Sequence, residues 1–217
     1  MRLGAGDVSP TWTEKGVSLM SRWIKLVGMV LAVSAVGFGQ TWQGLGFGWP
    51  LRQVQEALSK KGFHLVRLDG AAAHFRLGPG HQEWDVQPVF DLQLPSILPP
   101  LHFVPDLVFT STDKLERITL RLAAEKHAAE GMDTALLAAL AAAPIQRELS
   151  IKYGAPVSMA GACGPVSTSN PADGSGKVSC DAVWRAEGQG VSLEWEYFPG
   201  SKKFFLSISY SPFNPGL

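Results

Sequence analysis

The sequence has few charged residues and few cysteines for its length of 217 residues. Charged residues make up 18% of the chain, and 19 basic residues balance 19 acidic ones, so the basic excess typical of nucleic-acid-binding proteins is absent. Two cysteines are too few for a cysteine-rich zinc module or a multi-bridge miniprotein. Hydrophobic residues account for 46% of the chain, which is enough for a folded core and excludes a disordered protein.

Recognisable catalytic motifs are also missing. The sequence has no Gly-x-Ser-x-Gly elbow and no His-Glu-x-x-His pair, and the segment 174–177 lacks the first glycine and the final hydroxyl of a phosphate-binding loop. We therefore predict no catalytic residue, no cofactor and no metal, and we expect a protein that is not an enzyme. The alternative is a secreted hydrolase or accessory enzyme whose site is assembled from distant residues.

The histidines are the residues of this sequence that are best suited to a catalytic or metal-binding site. His64 and His102 lie among apolar residues, which predicts partly buried, hydrogen-bonded side chains, whereas His127 is expected to be solvated. Other potential metal ligands are close in sequence but match no compact metal-binding motif. These ligands are His74, His81, Glu83 and Asp85.

An apolar segment near the N-terminus predicts export. Arg22 and Lys25 precede the uncharged stretch 26–38, which has the pattern of a signal peptide and is shorter than the about 20 residues of a membrane-spanning helix. We expect a signal at 20–39, cleavage after Gly39, no membrane span afterwards, and a periplasmic or extracellular location. An uncleaved anchor is the alternative. Residues 1–19 fit no part of a signal, so we predict a misassigned start, with translation beginning at Met20.

Export gives the two cysteines a structural interpretation. Cys163 and Cys180 are separated by a stretch rich in Gly, Pro, Ser, Asn and Asp, which is the composition of a surface loop. Disulfides persist in oxidising compartments, so we predict a Cys163–Cys180 bridge. A metal pair and a redox couple are the other interpretations, although a redox couple is expected as Cys-x-x-Cys.

The rest of the chain reads as two similar α+β halves, at 40–125 and 126–217. In each half a helix is followed by several strands and a final hairpin. The amino-acid sequence of Val54–Gly62 also resembles that of Ile145–Gly154. Apolar spacing predicts the first helix at 50–61. Pro144 is expected to divide the later helical segment into two helices. The fold predicted is two related units, each a helix packed on an antiparallel sheet; chance similarity between two amphipathic helices is the alternative.

The opening of the first helix carries a family resemblance. Gly48–Val54, followed by a helix that ends at Lys61 and Gly62, resembles the start of BamE-like (SmpA/OmlA) and beta-lactamase-inhibitor-like repeats. The resemblance implies an exported module that binds a protein or an envelope component without catalysis. Pro50 stands where that pattern commonly has Ser or Thr, so no residue-specific role is carried over.

The segment 92–109 is the best candidate for binding. It combines four prolines with many apolar residues, and proline disfavours pairing within a sheet. If their side chains are exposed, they form an apolar patch suited to protein or lipid contact. Alternatively, the segment folds over the sheet as part of the core. The patch residues are Ile97, Leu98, Leu101 and Phe103.

Overall fold

A computed structural model describes residues 42–68, 81–94, 100–164, 176–186 and 188–212, all within the unit Phe38–Leu217. These ranges contain nine strands and three α-helices. The strands are β1 His64–Arg67, β2 Gln82–Gln87, β3 Phe90–Leu92, β4 Leu101–Phe109, β5 Leu115–Leu122, β6 Ser158–Gly161, β7 Val178–Ala186, β8 Gln189–Phe198 and β9 Lys203–Pro212. The helices are α1 Leu51–Ser59, α2 Ala124–Ala129 and α3 Thr134–Tyr153, and a short 3-10 helix spans Trp42–Gly44.

All nine described strands belong to one antiparallel sheet. Its order is β1-β2-β4-β5-β9-β8-β7-β6, and β3 pairs with β4. Strands β2 and β3 both pair with β4, at Gln82–Asp85 and Phe90–Leu92 respectively, so they follow one another along the same side of it. The sheet is continuous at its centre because β5 pairs with β9 from Ile118 to Arg121.

The prediction of two related helix-plus-sheet halves is therefore wrong. The strands of the C-terminal part continue the sheet of the N-terminal part through β5 and β9, and the fold is mostly antiparallel sheet. One cluster of buried apolar side chains extends from Val54 on α1 through Ile118 on β5 to Trp195 on β8. Backbone pairing between strands so distant in the chain leaves no local pattern, which is why residue periodicity did not reveal it.

Alternation of apolar and polar residues defines the two faces of β7, β8 and β9. Cys180, Leu193 and Ile208 belong to the series that faces the core, together with Ala141 and Ile145 of α3. The intervening residues of the three strands are exposed or half-buried. Helix packing therefore covers one face of this part of the sheet, as expected for an antiparallel sheet with a single buried face.

The long helix α3 corrects a second prediction. It runs without interruption from Thr134 to Tyr153 and includes Pro144. Proline removes one backbone hydrogen bond from a helix, but burial of Ala142 and Ile145 on either side holds both turns against the sheet. At its start, the Asp133 carboxylate accepts hydrogen bonds from two backbone N–H groups and caps the helix.

Proline does not exclude the segment around Pro105 from the sheet. Pro105 lies within β4, paired with Leu120 of β5. On the other side of β4, the register with β2 ends at Asp106 and the register with β3 begins at Phe103. Pro105 thus occupies a position where β4 has a ladder partner on one side only, which is where a strand tolerates the missing N–H.

Candidate functional site

The predicted apolar patch falls partly in the core. Leu101 and Phe103 are buried on β4, with exposed fractions of 1% and 0%. They contribute no exposed surface, and Phe103 pairs with Leu122 in the centre of the sheet. Ile97 and Leu98 lie outside the described residues.

The predicted disulfide is confirmed. Cys163 and Cys180 are bonded, with 4.8 Å between their Cα atoms. Cys180 is fully buried on β7, and Cys163 follows the end of β6. The bridge therefore ties the chain that leaves the outermost strand to the neighbouring strand.

The four potential ligands grouped by sequence do not assemble into a metal-binding group among the described residues. His74 lies outside those residues. The His81 ring instead lies beside Glu116, with 2.9 Å between Nε2 and Oε2, while Glu83 is buried on β2 and Asp85 faces Arg121. His64, expected to be partly buried, is exposed.

Three other side chains do come together: His102 of β4, His127 of α2 and Glu130, whose ligand-type atoms lie within 4.8 Å of one another. The expectation that His127 is solvated is wrong, because this side chain is completely buried. The signal available in the sequence was the three-residue spacing between His127 and Glu130, which places both on one side of a helical turn. Nothing local indicated that β4 would supply His102.

His102 lies between two carboxylates. Its Nδ1 is 2.7 Å from Oδ1 of Asp91, the residue directly opposite on β3, and its Nε2 is 3.2 Å from Oε2 of Glu130. The ammonium of Lys126 lies 3.2 Å from the same Nδ1. Both ring nitrogens therefore face groups of this protein, and the residue has only a small exposed fraction of 6%.

His127 is held in its neutral form by the backbone of β4. The backbone N–H of His102 donates to Nε2 of His127 at 3.0 Å, and the two imidazole rings stack with 4.7 Å between centroids. A neutral imidazole has one lone pair and one N–H, so accepting at Nε2 leaves the proton on Nδ1. The nearest carboxylate oxygen to this Nδ1, on Glu130, is 4.0 Å away.

This hydrogen bond decides what the group can bind. Burial lowers the pKa of His127, and the neighbouring His102 lowers it further. A metal-ligating histidine normally donates its second nitrogen to an acceptor, leaving a lone pair for the ion. In His127 the second nitrogen accepts instead, so Nδ1 has no lone pair to offer. The residues present do not fit a site with His127 as ligand, and the group acts as a polar connection between β3, β4 and α2.

A second buried group of charges lies on the same side of β4. The Arg121 guanidinium contacts both carboxylate oxygens of Asp106, through Nε and through Nη2 at 2.7 Å, and it lies 3.4 Å from Asp85. Burial raises the pKa of Asp106 to about 7; Asp85 adds to the increase, and Arg121 opposes it. Because Asp106 has no exposed surface and is occupied by Arg121, it is not accessible as a general base.

An accessible surface remains on the outward side of the C-terminal strands. We define the open face as the outward-facing side chains of β7, β8 and β9, against which no helix of the described part of the chain packs. Its members are Asp181, Val183, Arg185, Ser192, Glu194, Glu196, Phe205, Ser207 and Ser209.

Negative charge is concentrated on the open face. Asp181 and Glu194 lie directly opposite each other on neighbouring strands, and Glu196 is the next outward residue of β8. Burial raises the pKa of Glu194, and Asp181 and Glu196 raise it further. Lys177 forms an ion pair with Glu196. Phe205 is paired with Glu196 across the strands and leaves 56% of its surface exposed.

No protein-family model, curated protein or solved structure matches this chain. The resemblance to BamE-like and beta-lactamase-inhibitor-like repeats thus stays a prediction. In the ranges that the structure covers, every helix is too short or too polar to cross a membrane.

Proposed function

We propose that this chain is an exported protein that binds another protein through the open face, without catalysing a reaction. The observation that carries the proposal is the contrast between the two sides of β7, β8 and β9: helices cover one side, and the other presents charged, hydroxyl and aromatic side chains. An exposed aromatic residue among polar neighbours is typical of the energetically important part of a protein interface.

The charges of the open face favour a partner with basic residues. Like charges directly opposite each other on neighbouring strands destabilise a sheet, and Asp181 and Glu194 are such a pair. A lysine or arginine from a partner would relieve this repulsion and provide complementary charge. Phe205, beside these carboxylates, would supply apolar contact area in the same interface.

The buried ionisable groups support binding over catalysis. His102 has carboxylates against both ring nitrogens, His127 is fully buried, and Asp106 is occupied by Arg121. A general acid or base must reach the atom whose proton it transfers, and these side chains are directed at one another. The disulfide is compatible with an oxidising compartment and so supports export.

Site-specific photo-cross-linking tests the proposal. A photoreactive amino acid at Ser207, on the open face, is compared with the same amino acid at Arg147, which is exposed on α3. In the secreting cells, we expect a covalent adduct with a basic protein from position 207 and none from position 147. Equal labelling from both positions, or no adduct at 207, would overturn the proposal.

Charge reversal then tests the interface with the purified partner. We expect Glu194→Lys combined with Phe205→Ala to raise the dissociation constant by about tenfold or more, since exposed aromatic and charged anchors contribute most of the affinity. Glu56→Lys on exposed α1 is the control and should leave the affinity unchanged. Equal loss in both variants would contradict binding at the open face.

A further inference from the structure

The outermost strand of the sheet, β6, has an unpaired side. It is the last strand in the sheet order, hydrogen-bonded to β7 alone within the described ranges. All four of its residues, Ser158 to Gly161, are exposed. A strand in this position presents unpaired N–H and C=O groups, which form a template for another strand.

Exposed apolar side chains surround this edge. Val157 and Met159 leave 57% and 49% of their surfaces exposed, and Val183, paired with Ser158 on β7, leaves 37%. Single exposed apolar residues are ordinary, but three of them on and beside one edge strand form an apolar surface suited to contact with another chain.

The two edge strands of the sheet differ in how they are protected against pairing with another chain. Natural edge strands commonly carry charges or proline, which discourage pairing with another chain. The edge strand β1 begins at His64 and ends at Arg67, and Lys61 precedes it. In contrast, β6 has the sequence Ser-Met-Ala-Gly, without charge or proline. The sheet is thus protected by charge at one edge and not at the other.

We propose that β6 pairs with β6 of a second copy of this chain, in antiparallel orientation, to form a two-fold symmetric dimer with a continuous sheet. A two-fold axis brings the same surface of two chains together, so that residue i of one chain contacts residue j of the other and the reverse. That surface must therefore be complementary to itself. The uncharged β6 and its apolar neighbours meet this condition, whereas pairing of β1 with its copy would bring the arginine of each strand towards the histidine of the other. The pairing uses the backbone edge of β6 and shares Val183 with the open face.

The strand is already ordered in the single chain. Before β6, the indole N–H of Trp184 donates to the carbonyl of Gly154 at 3.1 Å. After it, the disulfide fixes Cys163 to β7, and Gly161 approaches so closely that an added Cβ would lie 2.3 Å from the Ser179 carbonyl oxygen. Little conformational entropy would be lost when such a strand binds, which favours association.

Sedimentation equilibrium of the purified, oxidised protein tests the dimer. We expect a reversible change from the mass of one chain to that of two as concentration rises. Met159→Lys places a charge at the edge and should raise the dimer dissociation constant by about tenfold or more. Val66→Lys, at an exposed position on the opposite edge, is the matched control and should leave it unchanged.

Hydrogen exchange provides a second measurement that needs no variant. The amides of Ser158 to Gly161 should exchange more slowly at high protein concentration than at low, while those of β1 should not change. A single-chain mass at every concentration, concentration-independent exchange in β6, or equal effects of the two lysine substitutions would each overturn the proposal. Unchanged melting of Met159→Lys, compared at a concentration low enough for the wild type to be a single chain, separates loss of pairing from loss of folding.

Discussion

His127 stabilises the fold only while its imidazole is neutral. Its Nε2 accepts the backbone N–H of His102, so protonation would remove the acceptor and place a positive charge on a completely buried ring. The charged or titratable groups that act on it are Lys126 and Glu130 from its own helical segment, His102 from β4 and Asp91 from β3. The two acidic residues favour protonation, but burial outweighs them.

The lowered pKa of His127 predicts a loss of stability in acid. Between its folded pKa and the ordinary value of 6.5, the unfolded chain binds more protons, so the free energy of unfolding falls as pH decreases below about 6.5. His127→Gln retains an acceptor for the backbone N–H and does not titrate. We expect urea denaturation to show a smaller loss between about pH 7 and about pH 5 in this variant than in the wild type.

Asp106 changes the free energy of unfolding with pH in the opposite direction, so its contribution must be separated from that of His127. Its raised pKa of about 7 stabilises the fold at low pH, and that contribution is lost as pH rises through about 7. The Asp106 contribution is the same in the wild type and in His127→Gln. The difference between their pH dependences therefore reports the contribution of His127 alone. His64→Gln, at an exposed edge position, is the matched histidine substitution for comparison. If the free energy of unfolding of His127→Gln depends on pH as steeply as that of the wild type, the interpretation that His127 is neutral in the folded protein is contradicted.

Among the elements, α3 shows how packing overrides local preference. A proline inside a helix is unfavourable by about 3 kcal/mol relative to alanine, and sequence reasoning accordingly ends a helix at Pro144. The structure retains one helix because Ala141, Ala142, Ile145 and Leu149 are buried along both of its parts. Burial of these side chains against the sheet therefore compensates for the backbone hydrogen bond that Pro144 cannot donate.

Pro144→Ala distinguishes a continuous helix from a broken one. If the helix is continuous, alanine restores a backbone hydrogen bond, and we expect the free energy of unfolding to rise by about 2 kcal/mol. If the chain turned at residue 144, alanine would leave stability unchanged or lower it. Urea denaturation measures the difference. Asp133→Ala, which removes the N-cap, is the companion variant and should lower stability by about 1 kcal/mol.

For the whole molecule, the important connection is between β5 and β9. Pairing of Ile118–Arg121 with β9 joins all described strands into one sheet, and Thr119 is within hydrogen-bond distance of Ser209, at 3.1 Å between the hydroxyl oxygens. One buried apolar cluster lies along this sheet. A shared core of this kind unfolds as a unit, so the chain should show one cooperative transition.

Reduction of the disulfide tests this cooperativity. The bridge closes a loop across a sequence separation of 17, and its removal should lower the free energy of unfolding by about 3 kcal/mol. We expect reduced protein, or the variant Cys163→Ala with Cys180→Ala, to unfold in a single transition at lower temperature in calorimetry. Two separate transitions, or an unchanged melting temperature, would contradict this account.

Much of the local structure followed from sequence patterns. Apolar spacing located α1, and composition indicated the disulfide loop. The N-cap at Asp133 was predictable because a cap is formed by residues that are neighbours in the chain. The site was less predictable: neither His127 with its partner His102 nor the open face had a local signal.

The sequence by itself therefore indicated the position of α1 and the pairing of the two cysteines, because short-range patterns dominate those outcomes. Only the tertiary structure decided that β5 joins β9, that α3 continues through Pro144 and that His127 is buried against β4. Each of these depends on contacts between residues far apart in the chain, such as Thr119 and Ser209, which lie 90 positions apart. These contacts stabilise the protein only when distant segments pack together, so the periodicity of residues along the chain does not predict them.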